Sequence, residues 1–264
     1  DDMSVSDHLA LLAEIEPGEL DLGFDLAVKL TRAIPNPHTT VQARYRLTLE
    51  DGDPAELLPQ GASQRVEAKG PHTAEVTVYA LRPGTAGNPD AADETPAEAD
   101  LRPSNMIQSD NAEIVRLTRE AVGDEKDPWR KAVVLERFVG TYVKQKDYSQ
   151  AFATAAEVAR QREGDCTEHA VLLAAMCRAA NIPARVAAGL VYLPGRRAFY
   201  FHMWTEAYID GRFIPLDATL SGGGIGAAHL KLTQASMEGS SAFTAFLPII
   251  RVIGKLKIEV IEVE

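Results

Sequence analysis

Ala170 to Met176, AVLLAAM, is apolar on every side, and no other segment limits the fold so strongly. A helix without a polar face has to be covered all round, so this one belongs at the centre of the structure. Asp165, Cys166 and Thr167 are short polar residues suited to its cap, while Asn181 and Pro183 stop it. Cys166 therefore falls in the first turn, where unpaired backbone N–H groups and the positive end of the macrodipole favour thiolate over thiol. Plain burial is the competing account of a lone cysteine, and it suits Cys177, deeper in the same helix, better. Eleven residues at ~1.5 Å rise set the two sulfurs roughly 16 Å apart, too far for a disulfide.

Downstream, Phe199 to Ile209 is rich in aromatic and β-branched residues. Asp210-Gly211 then signals a two-residue hairpin turn into a strand over Arg212 to Asp217. With Ile209 opposite Arg212, the count outward sets Glu206 opposite Pro215 and Trp204 opposite Asp217. His202 shares a face with Trp204 and lies diagonal to Asp217, within side-chain reach. Taken singly, the histidine could be a half-buried strand residue and the aspartate a turn former. Together with a cysteine at a helix start they supply nucleophile, base and orienter for covalent acyl transfer.

These stretches, GDCTEHAVLLAAMCRAANIPARVAAGL, FHMWTEAYIDGRF and PLDAT, resemble the core motifs of the transglutaminase-like superfamily. The resemblance is strong over 164–219 and extends from about Asp110. It implies an α+β fold related to papain-like cysteine proteases, with Cys166, His202 and Asp217 as the catalytic residues. One departure is Met203, where a small residue usually stands between the histidine and the tryptophan. No local motif fixes a second oxyanion donor; Gln145 or a tyrosine in Tyr142 to Tyr148 is a candidate.

The 264 residues carry a formal charge of −11, unevenly. Residues 1–100 hold 19 acidic against 7 basic side chains, a balance of −12, so the remainder is close to neutral at +1. That acidity opposes nucleic-acid binding and reads as a solvated surface. No apolar run approaches the ~20 residues of a membrane span. The chain opens on Asp1 without Met and is read as cropped, which leaves bacterial envelope and cytoplasm both open. Two unpaired cysteines leave the redox compartment open as well.

Alternating segments DLAVKLTRAI, TVQARYRLTLE, SQRVEAK and AEVTVYALR, punctuated by PNP, EDGDP and KGP, predict a small antiparallel β domain, a sandwich, within residues 1–104. Val5 to Ile15 suits a short helix before it, and His38 and His72 read as surface residues in loops. Gly84 to Pro103, without aromatics, reads as an extended or mobile linker.

The predicted catalytic domain, 105–264, opens with helices capped by Asp110 and by Asp127-Pro128, with Ile114, Leu117 and Ala121 on the stripe of the first and Ala132, Leu135, Phe138 and Val139 inward in the second. A further helix spans Ala153 to Arg162. Cys166-x-x-His169 supplies two metal ligands at most, so no metal or cofactor is expected; Glu168 is placed at a solvent-facing rim. SGGGIG lacks the Lys-Ser/Thr of a phosphate loop and reads as a flexible loop. FTAFLPIIRVI is a helix candidate interrupted by Pro248, and KIEVIEVE a last half-buried strand.

The function implied is acyl transfer on a carboxamide or peptide bond of a protein or peptide substrate through a thioester. Two alternatives are a cysteine peptidase or amidase acting on the same bonds, and a non-catalytic binding module. The oligomeric state is not legible.

Overall fold

The computed structural model describes residues 27–144, 153–220, 222–239 and 254–264, with Ile249 and Val252. The helix expected at Val5 to Ile15, the candidates Gln145 and Tyr148, and most of FTAFLPIIRVI lie outside the described residues.

The N-terminal half contributes β1 (Val28–Lys29), β2 (Gln42–Leu49), a single turn α1 (Pro54–Leu57), β3 (Gln64–Gly70) and β4 (Thr73–Tyr79). Four helices follow, α2 (Ala112–Val122), α3 (Pro128–Tyr142), α4 (Ala155–Gln161) and α5 (Cys166–Ala179). Strands β5 (Ala184–Leu193), β6 (Ala198–Ile209), β7 (Arg212–Leu216), β8 (His229–Ala235) and β9 (Leu256–Val263) complete the chain.

Side-chain chemistry sets the helix starts. Asp127 caps α3 by accepting from Arg130 N, with Pro128 in the first turn. Asn111, one residue beyond the expected Asp110, caps α2. Helix α5 is enclosed from Glu168 to Arg178, as its sequence demands. Helices α2, α3 and α4 cover one part of it and strands β5 and β6 another.

Two antiparallel sheets result. The five-stranded one runs β1-β6-β5-β8, with β7 sharing the β1 edge of β6. The four-stranded one runs β3-β4-β2-β9. The acidic half is thus a single sheet rather than the expected sandwich. Its apolar face, Tyr45, Leu47, Val76 and Val78, packs on Leu190, Tyr192, Phe199 and Leu230 of the other sheet. Membership crosses residue 104 in both directions: β1 pairs with β6, and β9 pairs with β2.

In KIEVIEVE the apolar phase slips between Val260 and Ile261. The register shows why: Tyr45 faces Val260 and Arg44 faces Glu262, leaving Ile261 as the extra residue of a bulge. Val41, counted in the alternation of β2, precedes the strand and is 62% exposed.

The Gly84 to Pro103 segment is extended but held in place. The Glu94 carboxylate accepts from Arg185 and its carbonyl from Tyr208 Oη, Asp100 accepts from Ser236, and the Arg102 carbonyl accepts from Arg178. Too polar to make a core of its own, it is fixed by polar bonds to the core beside it.

Candidate active site

Cys166 is the first residue of α5, half-buried. A reciprocal capping box fixes this turn: Asp165 accepts from Thr167 N at 2.8 Å, and Glu168 reaches back to Asp165 N at 3.0 Å. Glu168 also accepts from Ala153 N, and it is buried, not at a solvent-facing rim as expected. Capping draws its carboxylate inward, and burial beside Asp165 pushes its pKa up to about 7. Gly164 is needed here because a Cβ would lie 2.2 Å from that of Glu168. His169, one turn on, bonds the Asp165 carbonyl through Nδ1 at 2.6 Å, and burial lowers its pKa.

The hairpin has the register counted from sequence. Ile209 pairs with Arg212 and Glu206 with Pro215. Asp210 and Gly211 have φ of 52° and 84°, the left-handed values a tight two-residue turn requires. His202 Nε2 consequently lies 2.7 Å from Asp217 Oδ2. Met203, the departure from the resembling motif, is buried and accepts a hydrogen bond from Thr167 Oγ1 at 3.4 Å, joining the histidine strand to the cysteine turn.

Burial opposes charge on His202. The Asp217 carboxylate, hydrogen-bonded to it, and the nearby Cys166 sulfur override that effect and hold its pKa well above the usual value. Nε2 is taken by Asp217, so Nδ1 is the nitrogen left for the thiol. Burial likewise pushes the Asp217 carboxyl up, yet His202 and His229 hold it well below the carboxylate range.

Three contributors carry no sequence signal of their own. Glu136, inside α3, takes Asp217 N at 2.9 Å, Gly223 N at 2.6 Å and Gly224 N at 3.2 Å. It thereby ties the glycine segment expected to be a flexible loop to the base of the site. His229, the first residue of β8, donates from Nε2 to Asp217 Oδ2 at 3.0 Å. His38 was expected at the surface, but its ring packs 6.3 Å from that of His229, because the loop before β2 closes over Gly226. His72 is exposed, as expected, and bonds the Gly52 carbonyl.

Among the described residues, His202, Asp217 and His229 are the group whose ligand atoms gather within 4.8 Å. Two imidazoles and a carboxylate can hold a metal. Here both Nε2 atoms need their protons to bond one carboxylate oxygen, so an ion would have to displace both bonds.

The profile of the transglutaminase-like superfamily core matches residues 115–218, a span that includes Cys166, His202 and Asp217. A structure of a candidate cysteine protease from Cytophaga hutchinsonii shares the fold with a TM-score of 0.52 over 86% of each chain, at 18% identity. A looser resemblance, with a TM-score of 0.44 at 14% identity, covers 70% of this chain and 91% of the periplasmic domain of TgpA from Pseudomonas aeruginosa bound to ethylmercury. No curated protein matches the chain. Helices wrapped around a cysteine-headed central helix, an antiparallel sheet behind it and the profile match agree in likening residues 115–218 to the core of the transglutaminase-like superfamily.

Proposed function

We propose that this chain is a cysteine-dependent acyl-transfer enzyme acting on carboxamide or peptide bonds of proteins or peptides. The observation that carries this reading is His202, bonded to Asp217 through Nε2 and close enough to the Cys166 sulfur to feel its charge. The Cys166 proton passes to His202, and the sulfur attacks the carbonyl carbon. The tetrahedral intermediate collapses as the imidazolium protonates the leaving amine or ammonia, giving a thioester. An incoming amine or water then attacks the thioester carbon, loses its proton to His202 and releases Cys166. Asp217 holds the imidazole in the Nε2–H tautomer throughout and offsets its charge.

Water as acceptor, hence peptidase or amidase action, is favoured by the fold shared with a structure described as a candidate cysteine protease. A fluorescent primary amine offered with casein as acyl donor separates the two: amine incorporation marks transfer, and peptide release without incorporation marks hydrolysis. Both require Cys166. Alkylation of Cys166 at neutral pH no faster than that of glutathione would remove the enzyme reading and favour a binding module.

A further inference from the structure

Asp217 accepts four hydrogen bonds. Oδ1 takes Thr219 N at 2.9 Å and Thr219 Oγ1 at 2.5 Å, while Oδ2 takes His202 Nε2 at 2.7 Å and His229 Nε2 at 3.0 Å. A carboxylate can only accept, so His229 Nε2 must carry a proton. The His229 side chain is fully enclosed, and its Nδ1 has no partner among the described residues. A proton there would bury an unpaired charged N–H, which is costly; the stable form is neutral, protonated on Nε2 alone.

We propose that His229 is a positioning residue for this site: by donating to the carboxylate oxygen that His202 also uses, it fixes Asp217 and limits how strongly Asp217 draws the proton of His202. The proposal rests on the acyl-transfer reading for its consequence, though not for its geometry. The physical basis is competition. A second N–H on one oxygen withdraws electron density from that oxygen and places its positive end beside the other imidazole, so the two rings oppose each other's charge. The directions agree: burial lowers the His229 pKa, and charge on His202 lowers it further. Ring geometry leaves little room for another arrangement. Trp204 stands edge-on to His229 at 5.4 Å and the His202 ring lies at 5.8 Å, so His229 cannot swing away from the carboxylate without displacing both. A histidine tuned in this way can take the Cys166 proton and still release it to a leaving amine.

The other titratable groups facing this cluster are Cys166 and His169 from α5, Glu136 from α3 and His38 from the loop before β2. All remain unchanged in the test. Alkylation of Cys166 by iodoacetamide is followed against pH in the unaltered chain, in His229→Leu, which cannot donate, and in His229→Gln, whose amide can. Losing one neutral hydrogen bond should move the upper limb, which reports loss of the imidazolium, upward by roughly half a unit to one unit in His229→Leu. His229→Gln should stay with the unaltered chain. Coincidence of all three profiles, or equal displacement of both variants, overturns the assignment. A ¹⁵N-histidine spectrum of the unaltered chain decides it independently should His229→Leu fail to fold. His229 should stay neutral and Nε2-protonated from pH 6 to 8, and a charged or Nδ1-protonated ring refutes the proposal. If Cys166 in the unaltered chain shows no accelerated alkylation, the acyl-transfer reading fails, and the spectrum still tests His229.

Discussion

Glu206 gives the most quantitative test of how this fold tolerates charge in its interior. It is fully buried on β6, with Oε1 2.7 Å from Lys231 Nζ and Oε2 2.7 Å from Arg185 Nε. Arg185 in turn reaches Glu94 at 3.0 Å. Burial opposes ionisation of Glu206, but Lys231 and Arg185 override it and hold the carboxyl below its ordinary value. Glu206→Gln removes the anion and leaves Lys231, 3% exposed, facing only an amide oxygen. Breaking a buried pair from one side costs about 3–5 kcal/mol, which for a chain of this size lowers the melting temperature by roughly 6–20 °C.

The pH dependence follows from the direction of the shift. A depressed carboxyl contributes stability above its unfolded pKa of about 4.3 and loses it as pH falls through the folded value, so the gap between the two proteins should narrow on acidification. Glu206→Gln combined with Lys231→Met should recover most of the loss, because exchanging both partners for uncharged groups is close to neutral. Circular-dichroism melts at pH 7 and pH 4 measure all three. The reasoning is refuted if the single variant melts within about 2 °C of the unaltered chain, or if the double variant melts below the single one.

Two further predictions concern the site. Asp217→Asn presents an amide N–H to His202 Nε2, forces the imidazole into the wrong tautomer and should reduce turnover about 10³-fold or more; alkylation or substrate rates near those of the unaltered chain would exclude Asp217 as the orienting group. Glu168, its pKa pushed up from 4.5 to about 7, binds a proton in the native state that it releases on unfolding. Stability should therefore fall by up to about 3 kcal/mol as pH rises through that interval, and Glu168→Gln should lack this part of the slope. Urea midpoints at pH 5 and pH 8 compare the two, and identical slopes would contradict the assignment.

Local chemistry made part of this structure legible. Asp210-Gly211 specified its own turn, and through the two-residue period of a strand it placed His202 beside Asp217, as the 2.7 Å contact records. The apolar AVLLAAM segment announced a central helix because no arrangement leaves it solvated. What could not be read depends on partners remote along the chain. His229 meets Asp217 only because β8 pairs with β5, and Glu136 looks like an ordinary helix-surface glutamate until the 217–224 segment folds over it. The Gly84 to Pro103 segment is extended, but its anchoring was not legible for a related reason: polarity excludes a private core but does not prevent Glu94 and Asp100 from bonding to a neighbouring one. One signal was present but unread, since the phase slip at Ile261 marks the bulge where β9 meets β2.

The placement of β1 and β9 has a mechanical consequence. Each sheet borrows a strand from sequence on the far side of residue 104, so pulling the two layers apart would tear backbone hydrogen bonds in both at once. A hinge between the acidic half and the cysteine-bearing half is therefore built out of the fold. Strand pairing across residue 104 thus couples the two sheets so that they travel as one body.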